Sequence, residues 1–134
     1  MKKEILDGEL QSIFHAYLEE RGFVPDYAKF LAEENPEFLV NWFNTRRSFR
    51  GRGVLPEKVK EFISMACNAM RLNETGIGMH VEAAVKMGAT KEELMEVALC
   101  SWLIGGMPSL NACLRSLMKF YKKDIPIRTG PGKK

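Results

Sequence analysis

His80 is the side chain best suited to proton chemistry near neutral pH, because the chain contains only 2 histidines and an imidazole titrates close to neutrality. A positioned imidazole can donate or accept a proton during a reaction. A glutamate hydrogen-bonded to one ring nitrogen would orient the other nitrogen, and Glu61 and Glu74 are candidates for this role. His80 also has a purely structural explanation, as a satisfied histidine on an interface helix.

Two arginines, Arg71 and Arg115, are candidates for binding the carboxylate of an acidic substrate, since a guanidinium can hold a carboxylate bidentately. Each candidate also has an ordinary explanation. The arginines can be surface residues, Glu61 can favour the dipole of its helix, and Glu74 can precede or cap the next helix.

Helices must position these side chains, because apolar residues recur at three- and four-residue spacing while strand patterns are almost absent. We predict an all-α fold. The first helix covers residues 4–20, and a second covers residues 26–34 with Asp26 as its N-cap. A third helix begins at Asn35-Pro36, since proline suits the first helical turn.

An arginine- and glycine-rich loop around Gly51 separates these helices from the rest. We interpret it as a break inside one domain, 1–134, between an N-terminal helical arm (1–50) and core helices (56–123). The tail, 124–134, is expected to be mobile. The apolar stripe of the third helix, Phe38, Leu39, Trp42 and Phe43, predicts core or subunit interface, and we expect part of it to meet another subunit.

The helix after Pro56 is predicted to bury one broad apolar face. That face comprises Val59, Phe62, Ile63, Ala66, Cys67 and Met70. The three cysteines, Cys67, Cys100 and Cys113, have apolar or small neighbours, so we predict three core thiols. Neither a C-x-x-C pair nor a Cys/His spacing suited to zinc is present. We therefore predict no metal and no cofactor.

The helix carrying His80 is predicted to end at Gly88, which tolerates the left-handed conformation of a helix end. Thr90 and Glu93 then form a capping-box pattern. The following helix is predicted over residues 91–104, with a Gly-Gly-x-Pro break after it. A last helix should end near Lys123.

The composition is that of an ordinary globular domain, with 46% hydrophobic and 28% charged residues and a net charge of +3. A nucleic-acid binder would usually be more basic, so we expect no nucleic-acid partner. No uninterrupted apolar run reaches the roughly 18 residues that span a bilayer, and the N-terminus lacks the apolar stretch of a signal peptide. These features predict a cytoplasmic protein without a membrane partner.

The run from Glu57 to about Tyr121 resembles the carboxymuconolactone decarboxylase and AhpD-like superfamily. The resemblance rests on Glu61, the run HVEAAVKMGATKEEL that begins at His80, and an apolar helix broken by GGMPSLNA. It implies a small all-helical subunit, an AhpD-like helical bundle, that forms trimers or hexamers. Members include disulfide reductases that support peroxide removal and decarboxylases of lactone acids.

The resemblance also implies which chemistry is missing. Peroxidase-type members carry C-x-x-C before the histidine, and counting back from His80 places those positions at Asn73 and Gly76. Neither residue can supply a thiolate, and Cys67, six residues before Asn73, is a poor replacement. Glu61 and His80 match the proton-relay glutamate and histidine. Glu74 agrees with the decarboxylase pattern, whereas Gly76 stands where a second glutamate is expected.

Three functional hypotheses follow. The first is a non-redox enzyme that decarboxylates, or transfers a proton on, a small carboxylated or lactone substrate. The alternative is a non-catalytic oligomeric module of the same fold, and the third is a thiol-dependent activity that uses Cys67. In a straight helical hairpin Glu61 and His80 lie at different heights. Their contact therefore needs an irregular turn, a crossing angle or a neighbouring subunit.

Overall fold

A computed structural model describes residues 2–122, and these form α-helices without a β-strand. The helices are α1 (Lys3–Arg21), α2 (Asp26–Glu34), α3 (Pro36–Arg47), α4 (Glu57–Met70), α5 (Glu74–Lys86) and α6 (Lys91–Tyr121). The all-α prediction is therefore confirmed. The predicted mobile tail, 124–134, lies outside the described residues.

The chain divides into two compact units, an N-terminal unit (Met1–Glu57) and a C-terminal unit (Lys58–Lys134). Helices α1 to α3 enclose the core of the N-terminal unit. That core consists of Ile13, Tyr17, Ala28, Leu39, Val40 and Phe43. The C-terminal unit has a separate core built on α4, α5 and α6.

The starts of α2 and α3 differ in how well the sequence predicts them. The side chain of Asn35 accepts a hydrogen bond from the backbone N–H of Phe38, and Pro36 begins α3 as predicted. At α2 the N-cap is Pro25, and Asp26 is the first helical residue, so Asp26 does not cap the helix. Asp26 instead places a negative charge in the first turn, where it complements the helix dipole.

The aromatic stripe of α3 is split between the core and solvent. Leu39 and Phe43 are buried, whereas Phe38 and Trp42 are exposed. The Trp42 ring packs edge-on against the Tyr27 ring, with centroids 5.9 Å apart. The buried half of the stripe therefore stabilises the N-terminal unit, and the exposed half remains available to a partner.

Helix α4 buries a different face from the predicted one. Glu61, Met65 and Ala69 are the buried residues of this helix, whereas Ile63 is 49% exposed and Met70 is also exposed. At about 100° per residue, Glu61 and Ile63 lie on opposite sides of α4. Apolar spacing reveals that a helix has an apolar face, but it does not say which neighbour covers that face.

The three cysteines differ in burial. Cys113 is buried as predicted, and burial raises the pKa of its thiol. Cys67 and Cys100 are exposed, so the prediction of three core thiols was wrong for two of them. Cys67 lies on the outer side of α4, four residues after Ile63, because that side is not the one packed in the core.

The predicted capping box forms at the start of α6. The backbone N–H of Glu93 donates to Thr90 Oγ1 at 3.1 Å, and the backbone N–H of Thr90 donates to Glu93 Oε2 at 2.9 Å. The preceding helix ends with Gly88 in the left-handed region, at φ 89°. Both helix boundaries around Thr90 therefore follow from local residue chemistry.

Helix α6 runs from Lys91 to Tyr121, but Gly106 within it is non-helical, with φ 75° and ψ −167°. The predicted break between two helices is therefore present at Gly106. Among the described residues, α6 is the one helix long and apolar enough to cross a membrane. That criterion is also met by core helices of soluble proteins, and Leu94, Ala98 and Ala112 of α6 belong to the core.

We predict that Thr90→Ala lowers the free energy of unfolding by about 1 kcal/mol, because the first turn of α6 loses a side-chain acceptor. Urea unfolding of the full chain followed by circular dichroism measures the loss. Thr75→Ala is the matched control, since Thr75 is exposed in the first turn of α5. Equal unfolding midpoints for Thr90→Ala and the wild type would contradict the prediction.

Candidate functional site

His80 on α5 and Glu61 on α4 form a close pair inside the C-terminal unit. His80 Nδ1 lies 2.6 Å from Glu61 Oε2. Glu61 is only 4% exposed, while the His80 side chain is 18% exposed. A buried glutamate is costly unless it is paired, so this contact satisfies the Glu61 carboxylate and fixes the imidazole.

The turn between α4 and α5 explains how two residues at different heights meet. Leu72 adopts a left-handed conformation with φ 55°, and the Asn73 N–H donates to the Asn68 carbonyl at 2.9 Å. The chain therefore turns back tightly, and Gly76 lies against Asn68. Glu61 lies seven residues before Asn68 on α4, and His80 lies four residues after Gly76 on α5. At 1.5 Å per residue, their heights along the helices differ by roughly 4.5 Å. The long glutamate and histidine side chains can bridge this difference within one chain.

The pair determines which ring nitrogen of His80 is available for chemistry. An ionised Glu61 carboxylate accepts a hydrogen bond from Nδ1–H, which favours the tautomer with its lone pair on Nε2. Nε2 can then accept a proton, and the imidazolium that forms remains hydrogen-bonded to Glu61. This is the arrangement of an oriented general base and acid.

Asparagines and a glycine occupy the region where the resemblance implies redox cysteines. Asn73 caps α5, because its side-chain oxygen accepts from the Gly76 N–H at 3.2 Å. Its amide nitrogen donates to Asn68 Oδ1 at 2.9 Å, and Asn68 in turn donates to the Ser64 carbonyl at 2.8 Å. A Cβ atom at Gly76 would lie 2.1 Å from Asn68 Oδ1. The space beside Gly76 is therefore filled by the carboxamides of Asn68 and Asn73.

The other predicted site residues do not join His80. Arg115 Nε donates to Glu74 Oε1, and both side chains are largely exposed. The Ser116 hydroxyl donates to the Glu74 carbonyl at 3.4 Å. This contact ties the first turn of α5 to α6. Arg71 is exposed in the turn after α4, so the structure gives two separate pairs, Glu61 with His80 and Glu74 with Arg115.

Sequence reasoning did not identify Asn68 as part of this region. Its side chain connects the end of α4 to the capped start of α5. An asparagine inside a helix carries no obvious local signal, because its role depends on the glycine opposite it. Asn73 did carry a signal, since asparagine is a favoured N-cap.

A surface groove of about 400 Å³ lies elsewhere in the C-terminal unit, between α4 and α6. It is lined by Phe62, Ile63, Ala66, Glu93, Glu96, Val97 and Cys100. Neither Glu61 nor His80 lines it. Among residues 2–122, no group of three or more His, Cys, Asp or Glu side chains is placed to hold a metal ion.

Comparisons with known proteins agree with the helical fold. A model of the carboxymuconolactone decarboxylase family matches residues 36–118. The chain is also similar to the crystal structure of a Burkholderia xenovorans LB400 protein that is named for carboxymuconolactone decarboxylase, with 26% identity and a TM-score of 0.74. That similarity covers 87% of this chain and 94% of the other. No curated protein matches the chain significantly.

We predict that Gly76 and Asn68 are energetically coupled. In an Asn68→Ala background, Gly76→Ala should be less destabilising than in the wild type, because only the Asn73 carboxamide, whose Nδ2 would lie 2.7 Å from the new Cβ, must still shift. In the wild-type background the new methyl group displaces the Asn68 amide, and about 1 kcal/mol of hydrogen bonding is lost. A double-mutant cycle measured by urea unfolding gives the coupling. Identical effects of Gly76→Ala in both backgrounds would contradict it.

Proposed function

This chain belongs to the carboxymuconolactone decarboxylase family, and from the Glu61–His80 geometry we propose non-redox decarboxylation or proton transfer on a small carboxylated or lactone substrate. The observation that carries the proposal is the 2.6 Å contact between His80 Nδ1 and Glu61 Oε2. A buried carboxylate behind a partly exposed imidazole is suited to moving one proton. Neither the carboxylate nor the imidazole of this pair transfers electrons.

In the decarboxylation, the bond between the substrate carbon and its carboxylate breaks, and carbon dioxide leaves. The electron pair passes to the substrate carbon and is delocalised onto a neighbouring carbonyl as an enolate. Protonated His80 then donates its Nε2 proton to that carbon and recovers a proton from water. Glu61 accepts the hydrogen bond from Nδ1–H throughout the reaction and thereby keeps the imidazolium oriented until it donates its proton.

The substrate carboxylate needs a cation, and we assign this role to Arg71 or Arg115. Arg71 is exposed at the turn that leads into α5. Arg115 already pairs with Glu74, so a substrate acid would compete with that glutamate. A bidentate contact from either guanidinium would orient the acid more firmly than a single bond.

The alternative is a non-catalytic oligomeric module, and the burial of Glu61, which is only 4% exposed, favours it. In that case the pair would serve only to satisfy a buried carboxylate between two helices. The two hypotheses differ in what removal of the imidazole does, because a purely structural pair affects stability and not turnover.

We also propose that the protein is a cytoplasmic homo-oligomer, a trimer or a hexamer. Exposed Phe38 and Trp42 on α3 support association, because large apolar side chains rarely remain open on a lone domain. The free thiols of Cys67, Cys100 and Cys113 are consistent with a reducing compartment. Sedimentation at micromolar concentration tests the subunit number.

We predict that His80→Ala and Glu61→Gln each reduce turnover by about 10²–10⁴-fold, the range of general acid–base catalysis. Turnover is measured as carbon dioxide release from a panel of small carboxylated lactones and β-keto acids. Exchange of substrate protons in D₂O, followed by NMR, measures proton transfer. His15→Ala is the matched control, since His15 is an exposed histidine of α1 paired with Glu19. Full activity of folded His80→Ala would contradict the proposed mechanism.

We predict that the activity does not depend on thiols. Cys67→Ser combined with Cys100→Ser should retain wild-type turnover, because both side chains are exposed and neither replaces the cysteines that the redox motif requires. The wild-type protein should not consume peroxide when dithiothreitol is supplied. Peroxide consumption that disappears in Cys67→Ser would instead support the thiol-dependent hypothesis.

A further inference from the structure

The outer sides of α4 and α6 form one apolar surface of the C-terminal unit. This outer apolar face comprises Ile63, Cys67 and Met70 of α4 and Leu99, Cys100, Leu103, Ile104 and Met107 of α6. Leu103 is 74% exposed and Ile104 is 79% exposed. Leu94, Ala98 and Ser101, on the other side of α6, are buried. A contiguous apolar face of this kind usually marks an interaction site.

The groove between α4 and α6 gives this face a concave part with an acidic rim. Phe62, Ala66 and Val97 provide apolar walls, and Glu93 and Glu96 provide two carboxylates. The Glu93 carboxylate already pairs with Lys58 at 3.1 Å and accepts a hydrogen bond from the backbone N–H of Thr90. Glu96 is exposed one helical turn further along α6. A fitting partner therefore presents apolar side chains flanked by positive charge.

The chain itself contains a segment with this chemistry. In the loop 50–55, which we term the arginine loop, Arg50 and Arg52 precede Val54 and Leu55. Val54 is 98% exposed and Leu55 is also exposed. The base of the loop is held by a hydrogen bond from the Gly51 N–H to the Glu57 carboxylate, at 2.8 Å.

We propose that the arginine loop of a second copy of this chain docks into the groove between α4 and α6. Val54 and Leu55 enter the apolar part of the groove, and Arg52 lies against Glu96 at its rim. Two observations carry this assignment, the apolar character of both surfaces and their opposite charges. The acidic rim argues against an anionic membrane surface as the occupant, because anionic lipids attract basic segments.

The proposal specifies the symmetry of the assembly. Each copy presents one groove and one arginine loop, so the contact joins two different surfaces head to tail. A head-to-tail contact closes into a ring when its rotation permits. A two-fold dimer that exchanges its loops would also fill both grooves, so it is the proposed trimer or hexamer that requires the contact to run in one direction around a ring. The proposal rests on the association proposed above and adds the surface that forms it.

Disulfide trapping tests the contact, because Cys100 is already in the groove. Val54→Cys is introduced together with Cys67→Ser, and the full chain is oxidised with copper(II)–phenanthroline. The two thiols then lose two protons and two electrons to the oxidant and form one sulfur–sulfur bond. We expect covalent species larger than a dimer on non-reducing gels, because each copy both gives and receives a bond.

The matched control is the same variant with Cys100→Ser, which should yield no species larger than a dimer. A monomer that carries an internal disulfide would show that the loop fills the groove of its own chain, and would overturn the proposal. Oligomeric protein without any Cys100-dependent cross-link would overturn this interface but leave the association intact. Monomeric wild-type protein that floats with phosphatidylcholine vesicles would overturn both and point to a membrane.

Charge reversal supplies an independent measurement. Arg52→Glu and Glu96→Arg should each weaken self-association by at least tenfold in sedimentation equilibrium, and the double variant should recover most of the loss. Glu82→Arg on α5 is the control, since Glu82 is exposed and pairs only locally with Lys86 at 3.6 Å. Failure of the double variant to recover association while remaining folded would overturn the predicted contact between Arg52 and Glu96.

Discussion

The buried carboxylate of Glu61 is the constraint on which the C-terminal unit depends. A carboxylate that is 4% exposed requires a partner, because burial of an unpaired charge is expensive. His80 meets that requirement from the neighbouring helix. The same contact therefore satisfies the buried carboxylate and orients the imidazole, as the proposed proton transfer requires.

The start of α5 carries a chain of amide hydrogen bonds at the positions where the resemblance implies cysteines. Asn73 satisfies the Gly76 N–H as an N-cap, and the absence of a side chain at Gly76 leaves space for the Asn68 carboxamide. The resulting amide chain extends to the Ser64 carbonyl. It anchors the first turn of α5, one turn before His80, so the residues at the implied cysteine positions also hold the start of the helix that carries the histidine.

Local signals predicted the parts of this fold that depend on neighbouring residues in sequence. The capping box of Thr90 and Glu93 formed as predicted, as did the start of α3 at Asn35. The buried face of α4 was wrong, because apolar spacing favoured the side that carries Ile63. The Glu61–His80 pair was predicted only as one of several arrangements. Its formation depended on the left-handed Leu72 turn, which no local pattern announced.

The wrong prediction of the buried face of α4 has a physical cause that also links the two proposals. One side of α4 carries Glu61 toward α5, and the opposite side carries Ile63 toward the groove. A helix buried on only one side would show a single apolar stripe coinciding with its core contacts. Here Ile63 and Met70 on the outer side of α4 are exposed while Glu61 on the inner side is buried. In the two proposals, Glu61 serves proton transfer and the outer apolar residues serve association with a second copy.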